Sequence, residues 1–335
     1  MARADIVEAD LPLQENLLIA RIRERARGGG GVVAGIGDDA AVLRIPSAHQ
    51  ALVTTDFSLE GIHFRREWHR AEVVGRRALT RGLSDIAAMG GQPMAAFLSL
   101  ALPPTLPQAW VNGFFEGLLS LAETFKVSLA GGDTSESPGG VLIDIVVVGS
   151  VPRDQAISRS GARAGDRIYV TGKLGGASAA LNLLFSGCKL RAHDFPQHFH
   201  PMPRIQVGRF LRERAIASAM IDLSDGLSSD LAHICAESRV GAEIEAEAIP
   251  LARLGKPATP VDRRFALHGG EDYELLFTAP PGVSVPSRIA GSPITAIGRI
   301  RPDRRMLLIG QGRRVKLAPR GWQHFAPRRS TSRVR

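Results

Sequence analysis

Aspartates with small neighbours and apolar flanks recur along this chain. They sit in GIGDDAA, TTDFSLEGIHF, GLSDIAAMGG, LAGGDTS and IDLSDGL, which supply Asp38, Asp39, Asp56, Asp85, Asp133, Asp222 and Asp225. Gly, Ser, Thr and Ala beside a carboxylate let it and its backbone come close to a ligand, and hard oxygen donors of this kind suit Mg²⁺. Converging carboxylates repel one another unless several cations join them. Such a site fits nucleotide chemistry, where divalent ions neutralise phosphates and align the transfer.

Taken singly, most of these residues have plainer explanations. Asp225, or Ser224 before it, is a natural cap for the helix that follows. Asp56 and Asp133 close strands, where a turn aspartate is common. A lone His63 is more often structural than a ligand. Asp85 is harder to explain, because it lies in a helical apolar pattern between Leu83 and Ile86. The motifs G-x-x-x-x-G-K-[ST], H-R-D and D-F-G are all missing, so a different nucleotide scaffold is required.

The elements that must position these residues alternate between helix and strand. A helix is predicted over 17–26, followed by the glycine link RGGGGVVAG. AAVLRI and ALVTTDF read as neighbouring strands. From Glu72 to Met89 the apolar residues Val73, Val74, Leu79, Leu83, Ile86 and Met89 fall at helical spacing. MAAFLSLAL reads as a strand, PQAWVNGFFEGLLSLAETF as a helix, and VSLAGGD and VLIDIVVVGSV as two further strands. The second half repeats the theme. GDRIYVTG runs into the glycine-rich GKLGG and a helix at ASAALNLLF, a turn whose free N–H groups can hold phosphate. A proline-rich loop is predicted over 187–208, a helix over 207–219, a short strand breaking into a helix at MIDLSDGLSSDLAHICAES, and a strand after ALHGGEDYE.

The chain has 335 residues, 44% hydrophobic and 22% charged, which suits a soluble globular protein of two domains of roughly 150 residues each. No apolar run approaches the ~20 residues of a membrane helix and no signal peptide opens the chain, so a cytoplasmic protein is expected. Cys188 and Cys235 have no ligand-spaced partners and suggest neither a disulfide nor zinc. The net charge of +9, from 42 Lys+Arg against 33 Asp+Glu, raises the question of nucleic acid. Much of that excess lies near the chain ends without interleaved aromatics, and only 5% of residues are aromatic, so a solvated basic surface is the better reading.

GIGDDAAVL, TTDFSLEGIHF, GLSDIAAMGGQP, GGDTS, SRSGARAGD, IDLSDGL and GGEDYELLFT occur in the order and at roughly the spacing of the thiamine-monophosphate kinase family. The chain resembles that family from about residue 12 to GWQHF at 321–325. GDDAA alone is shared with the wider group of ATP-binding enzymes related to aminoimidazole ribonucleotide synthetase. Its combination with EGIHF, SDIAAMG and GGEDYEL is specific to the kinase.

The resemblance implies transfer of the γ-phosphoryl group of ATP to thiamine monophosphate, giving thiamine diphosphate. It implies Mg²⁺ at Asp39, Thr54, Thr55, Asp56, Asp85, Asp133, Asp222 and Asp225, with Asp85 and Asp225 supporting transfer. Nucleotide contacts are implied for Phe115, Gly132, Asp133, Arg159 and Ser224. His63, Glu271 and Trp322 or Phe325 match the thiamine-phosphate pocket, with Glu271 facing the cationic thiazolium or the pyrimidine. The implied architecture is an α/β (α+β) two-domain aminoimidazole ribonucleotide synthetase-like fold. It comprises an N-terminal helix and linker (1–30), an ATP- and Mg-binding domain (31–152), a C-terminal α/β domain (153–326) and a basic disordered tail (327–335). The N-terminal sheets pair across a homodimer, with ATP near that interface. Asp39 is expected to hold metal, and Asp38 to support it or face solvent.

Three positions depart from the family pattern. Arg81 and Gly82 stand where relatives usually carry small or amide residues, and Met202 interrupts the usual P-T-P-R. The alternatives are another ATP-using member of the superfamily, which should lack GGEDYEL, and a non-catalytic basic nucleic-acid-binding protein.

Overall fold

The computed structural model describes residues 13, 15–26 and 28–325. The tail expected at 327–335 and the first dozen residues of the expected N-terminal helix and linker lie outside these described residues. Helix α1 (Glu15–Arg25) buries Leu18 and Ile22. A short antiparallel ribbon, Val32–Ala34 with Val42–Leu43, follows it and holds the GIGDD loop.

The first sheet contains β1 (His49–Leu59), β2 (Gln92–Leu102), β3 (Ser128–Glu136) and β4 (Leu142–Pro152), in the spatial order β1-β4-β2-β3. β4 pairs antiparallel with both β1 and β2, while β2 and β3 run parallel and are joined by a crossover helix. Helices α2 (Ala71–Ala88) and α3 (Gln108–Phe125) pack on one face, where Leu79, Leu83, Leu118, Ile143 and Ile145 are fully buried. The two helices touch backbone to backbone. A Cβ on Gly117 would lie 1.9 Å from the Glu72 carbonyl oxygen, and one on Gly75 would lie 1.9 Å from that of Phe114.

Strand register sorts the polar residues between the faces. Asp56 stands opposite Ile145, Ile145 opposite Leu98, and Leu98 opposite Gly132, forming one row on the helix-covered face. The next row, Phe57, Asp144, Ser99 and Asp133, lies on the open face. That face also leaves Val53 at 67% and Phe57 at 56% exposure on the edge strand β1.

The second sheet is built from β5 (Arg167–Thr171), β6 (Ala219–Asp222), β7 (Gly241–Glu245), β8 (Leu275–Ala279), β9 (Ser292–Arg301), β10 (Met306–Gly310) and β11 (Arg313–Lys316). Their order is β11-β10-β7-β9-β5-β8-β6, with the short Arg288–Ile289 segment paired to β9. Helices α4 (Gly176–Phe185), α5 (Pro196–Phe199), α6 (Ile205–Glu213), α7 (Leu227–Ser238) and α8 (Arg263–His268) complete this half. The stretch expected as loop carries a 3-10 turn at Ala192–Asp194 and the one-turn α5, because Pro196 occupies the first helical position, where its missing N–H is harmless. Helix α6 stops at Glu213 rather than reaching 219, since Ala215 takes a left-handed φ of 49° and Ala219 opens β6. Among the described residues no helix is long and apolar enough to cross a membrane.

Candidate active site

Helix α2 delivers one polar stripe to the edge of the first sheet. Arg77, Arg81 and Asp85 are spaced four residues apart and share a face of an otherwise apolar helix. Asp85 accepts a hydrogen bond from the Thr54 hydroxyl on β1. Ser84, one position earlier, donates to Asp222 at the end of β6 at 2.7 Å. Asp56, two residues along β1 from Thr54, has a buried Oδ2 with no hydrogen-bond partner. Burial pushes all three carboxyls above the usual range. The Asp85 charge raises Asp56 and Asp222 further, while Arg81 pulls Asp56 down and the Thr54 hydroxyl pulls Asp85 down. The cluster holds more acid than its neighbouring cations balance.

The SDG turn after β6 adds Asp225, whose carboxyl is also raised by burial. Gly226 stands at the N-cap of α7 and offers no side-chain cap, so neither Ser224 nor Asp225 caps the helix and the Asp225 carboxylate stays free of that duty. Asp230 instead reaches back from the first turn and accepts the N–H groups of Asp225 (3.2 Å) and Gly226 (2.9 Å). Burial and the nearby Asp222 push Asp230 up to about 8. The Ser224 carbonyl receives the N–H of Glu271 at 2.8 Å, which joins the SDG turn to the GGEDYE turn. Glu271 and Tyr273 hold left-handed φ values of 68° and 50° there.

Glu271, expected to face the cationic thiazolium or the pyrimidine, is engaged by two arginines. Its Oε2 is 2.7 Å from Arg77 and its Oε1 is 3.6 Å from Arg81. Burial alone would raise this carboxyl, but Arg77 and then Arg81 hold it at about 2. His63 accepts the Leu59 N–H on Nδ1 at 3.0 Å, and burial, followed by Arg81, lowers it to about 4, so it is neutral with Nε2 as donor. The segment after β11 closes over this corner. Arg320 and Gly321 donate backbone N–H groups to Ser228 and Ser229, and the Trp322 N–H reaches the Asp225 carbonyl at 3.1 Å. The Trp322 ring is exposed, and the His324 ring lies 5.5 Å from that of His63. Phe325 is fully exposed, and among the described residues its ring meets that of His324, at 6.3 Å.

A second set of expected residues gathers elsewhere. A cavity of about 680 Å³ is lined by Ile22, Phe97 and Phe115 on its apolar side and by Asp38, Asp39, Gly132 and Asp133 on its polar side. That combination suits an adenine ring with its phosphates. Thr55 lies on the open face, where its hydroxyl donates to Asp144 at 2.7 Å, and so points away from Thr54 and Asp56. Arg159 acts electrostatically on Asp85 and Asp222, placing it with the first set.

Asp56 and Asp133 are therefore on opposite faces and three strand spacings apart, about 14 Å. Among the described residues no group of three or more His, Cys, Asp or Glu stands at metal-binding spacing within this one chain. The donor set still fits Mg²⁺, because the oxygens are hard, the acid is in surplus and Asp56 keeps a buried oxygen without a partner.

The glycine turn GKLGG does not offer a phosphate seat. Asp272, 97 residues further on, accepts the Gly175 N–H at 2.7 Å, and Gln197 fills the space beside Gly176. The chain's own carboxylate occupies the start of α4. The sequence reading also gave no role to Arg77, Asp230 or His324. Arg77 and Arg81 carried a legible signal, since two arginines on the helix face of Asp85 need acidic partners once that face is covered.

The two halves of the chain match the profiles "AIR synthase related protein, N-terminal domain" over residues 37–151 and "AIR synthase related protein, C-terminal domain" over residues 163–305. That defines the class, an AIR synthase-related α/β protein of two parts. Within it, the chain is 39% identical over 323 residues to thiamine-monophosphate kinase of Escherichia coli K12, covering 92% of this chain and 97% of the relative. The crystal structure of thiamine-monophosphate kinase from Stenotrophomonas maltophilia K279a superposes with a TM-score of 0.76 at 36% identity, covering 90% of this chain and 98% of that one. AaThiL complexed with AMPPCP and TMP superposes with a TM-score of 0.74 at 34% identity, covering 87% and 92%. The chain belongs to the thiamine-monophosphate kinase family.

Proposed function

We propose that this protein transfers the γ-phosphoryl group of ATP to thiamine monophosphate, forming thiamine diphosphate and ADP by direct in-line attack. The observation that carries this reading is the surplus of buried carboxylates between α2, β1 and the SDG turn, beside an arginine-lined corner and apart from a nucleotide-sized cavity. ATP and a phosphomonoester bring together about five or six negative charges, so the two cannot approach without cations. Mg²⁺ held by Asp56, Asp85, Asp222 and Asp225, with Thr54 in support, supplies that neutralisation when bound. Phe115 and the glycines before Asp133 receive the nucleotide, and Arg159 and Ser224 meet its phosphates. His63 and Trp322 enclose the thiamine end. An acceptor phosphate oxygen is already anionic at neutral pH and needs no strong base or covalent enzyme intermediate.

The protein works as a homodimer in the cytoplasm on this reading, with its 31–152 and 153–326 portions as separate domains. The exposed Val53 and Phe57 support pairing of the open sheet faces. On this reading β1 of one protomer pairs with β3 of its partner in a closed barrel, so that the carboxylate cluster of one chain meets the Asp39 and Asp133 cavity of the other. The basic-surface alternative has less support, since Arg299, Arg301 and Arg305 are engaged by Glu243 and Asp303.

Purified protein incubated with ATP, Mg²⁺ and thiamine monophosphate is expected to form thiamine diphosphate, read by chromatography. EDTA should abolish the product and excess Mg²⁺ restore it. Product formed equally well in EDTA would remove the metal from the reading, and phosphate release without loss of thiamine monophosphate would point to another reaction of the superfamily.

A further inference from the structure

Arg77 and Arg81 both face Glu271, yet their bonding differs. Arg77 donates to the His198 carbonyl and to Glu271 at 2.7 Å, so its guanidinium is anchored. Arg81 reaches Asp56 and Glu271 only at 3.6 Å, longer than a hydrogen bond, and its Nε is buried without a partner. A buried guanidinium N–H with no acceptor is costly unless a ligand completes it. Together with Ser58, His63, Tyr273 and the anchored Arg77, and against Phe64 and Val74, Arg81 lines a narrow cavity of about 10 Å³. That is room for one oxygen-sized group, with the neutral His63 as a further donor.

We propose that Arg81 is the specificity-determining residue that grips the phosphate of the acceptor, seating one phosphate oxygen in this cavity. The inference rests on the reading of thiamine monophosphate as substrate. The planar fork of arginine donors matches a phosphate, and the position beside Asp56 puts that phosphate against the metal-binding carboxylates. Arg81, a departure from the family pattern, then adds to this chain's preference for the phosphorylated acceptor over thiamine itself.

The test is calorimetric binding of thiamine monophosphate and of thiamine to the wild type, Arg81→Gln and Arg81→Lys, with KM for ATP measured alongside. Arg81→Gln is expected to weaken thiamine monophosphate about 10- to 100-fold, while thiamine and the KM for ATP change by less than about threefold. Arg81→Lys keeps the charge without the fork and should recover part of the preference. If Arg81→Gln does not fold, Arg81→Lys decides alone, because its preference for the phosphorylated ligand must still fall. Equal weakening of both ligands, or no change in either, would overturn the proposal and leave Arg81 a structural partner of Glu271. A wild-type protein that binds both ligands alike and forms no thiamine diphosphate would instead remove the underlying substrate reading.

Discussion

Asp85→Asn is expected to lower kcat about 100- to 1,000-fold without lowering the melting temperature. Asp85 sits at the centre of the cluster, in contact with Thr54 and within electrostatic reach of Asp56 and Asp222. Its carboxyl is raised because burial strips its hydration. The charged form therefore costs stability in the cation-free protein, and a neutral amide of the same shape relieves the strain on Asp56 and Asp222. A functional acid differs from a structural one in that its loss harms turnover while sparing the fold. Kinetics paired with circular-dichroism melts make the distinction. A melting temperature that falls with the activity would mark Asp85 as a packing residue.

Asp39→Asn should cut kcat about 100-fold, whereas Asp38→Asn should change it by no more than about threefold. Both aspartates face the large cavity, but their local roles differ. The Asp38 Oδ1 accepts the N–H of Asp39 at 3.3 Å, an interaction within the turn. That leaves Asp39 as the carboxylate available to a metal-bound phosphate. Gly37, just before them, takes φ 126° against the Arg23 guanidinium of α1, which fixes how the turn enters the cavity. Steady-state kinetics at saturating ATP separate the two variants. Equal losses would assign the pair a shared structural role.

Much of this arrangement was legible from periodicity and motif chemistry. The apolar spacing over 72–89 corresponds to the helix Ala71–Ala88 almost residue for residue, because its buried stripe is long and regular. Asp85 stood out because a carboxylate inside that stripe needs a reason. Spatial strand order was not legible. Sequence order does not reveal that β1 and β3 occupy opposite edges, so Asp56 and Asp133 read as neighbours in function while lying about 14 Å apart in one chain. Long-range capture was equally hidden. The glycine turn at 172–176 has the composition of a phosphate seat, and only the fold brings Asp272 into it. The plainer explanation of Asp225 or Ser224 as the cap of α7 is set aside for a related reason, since Asp230 satisfies the turn from inside the helix.

The two variants also supply the most direct test of the site's assembly. Asp39→Asn and Asp85→Asn proteins, each expected to be nearly inactive alone, are to be mixed in equal amounts under conditions of subunit exchange. A site built from the cavity of one chain and the carboxylate cluster of the other leaves one intact site in every mixed dimer, so activity should recover to about a quarter of the wild-type value. Mixed dimers that form but stay as inactive as their parents would contradict a site shared between two chains.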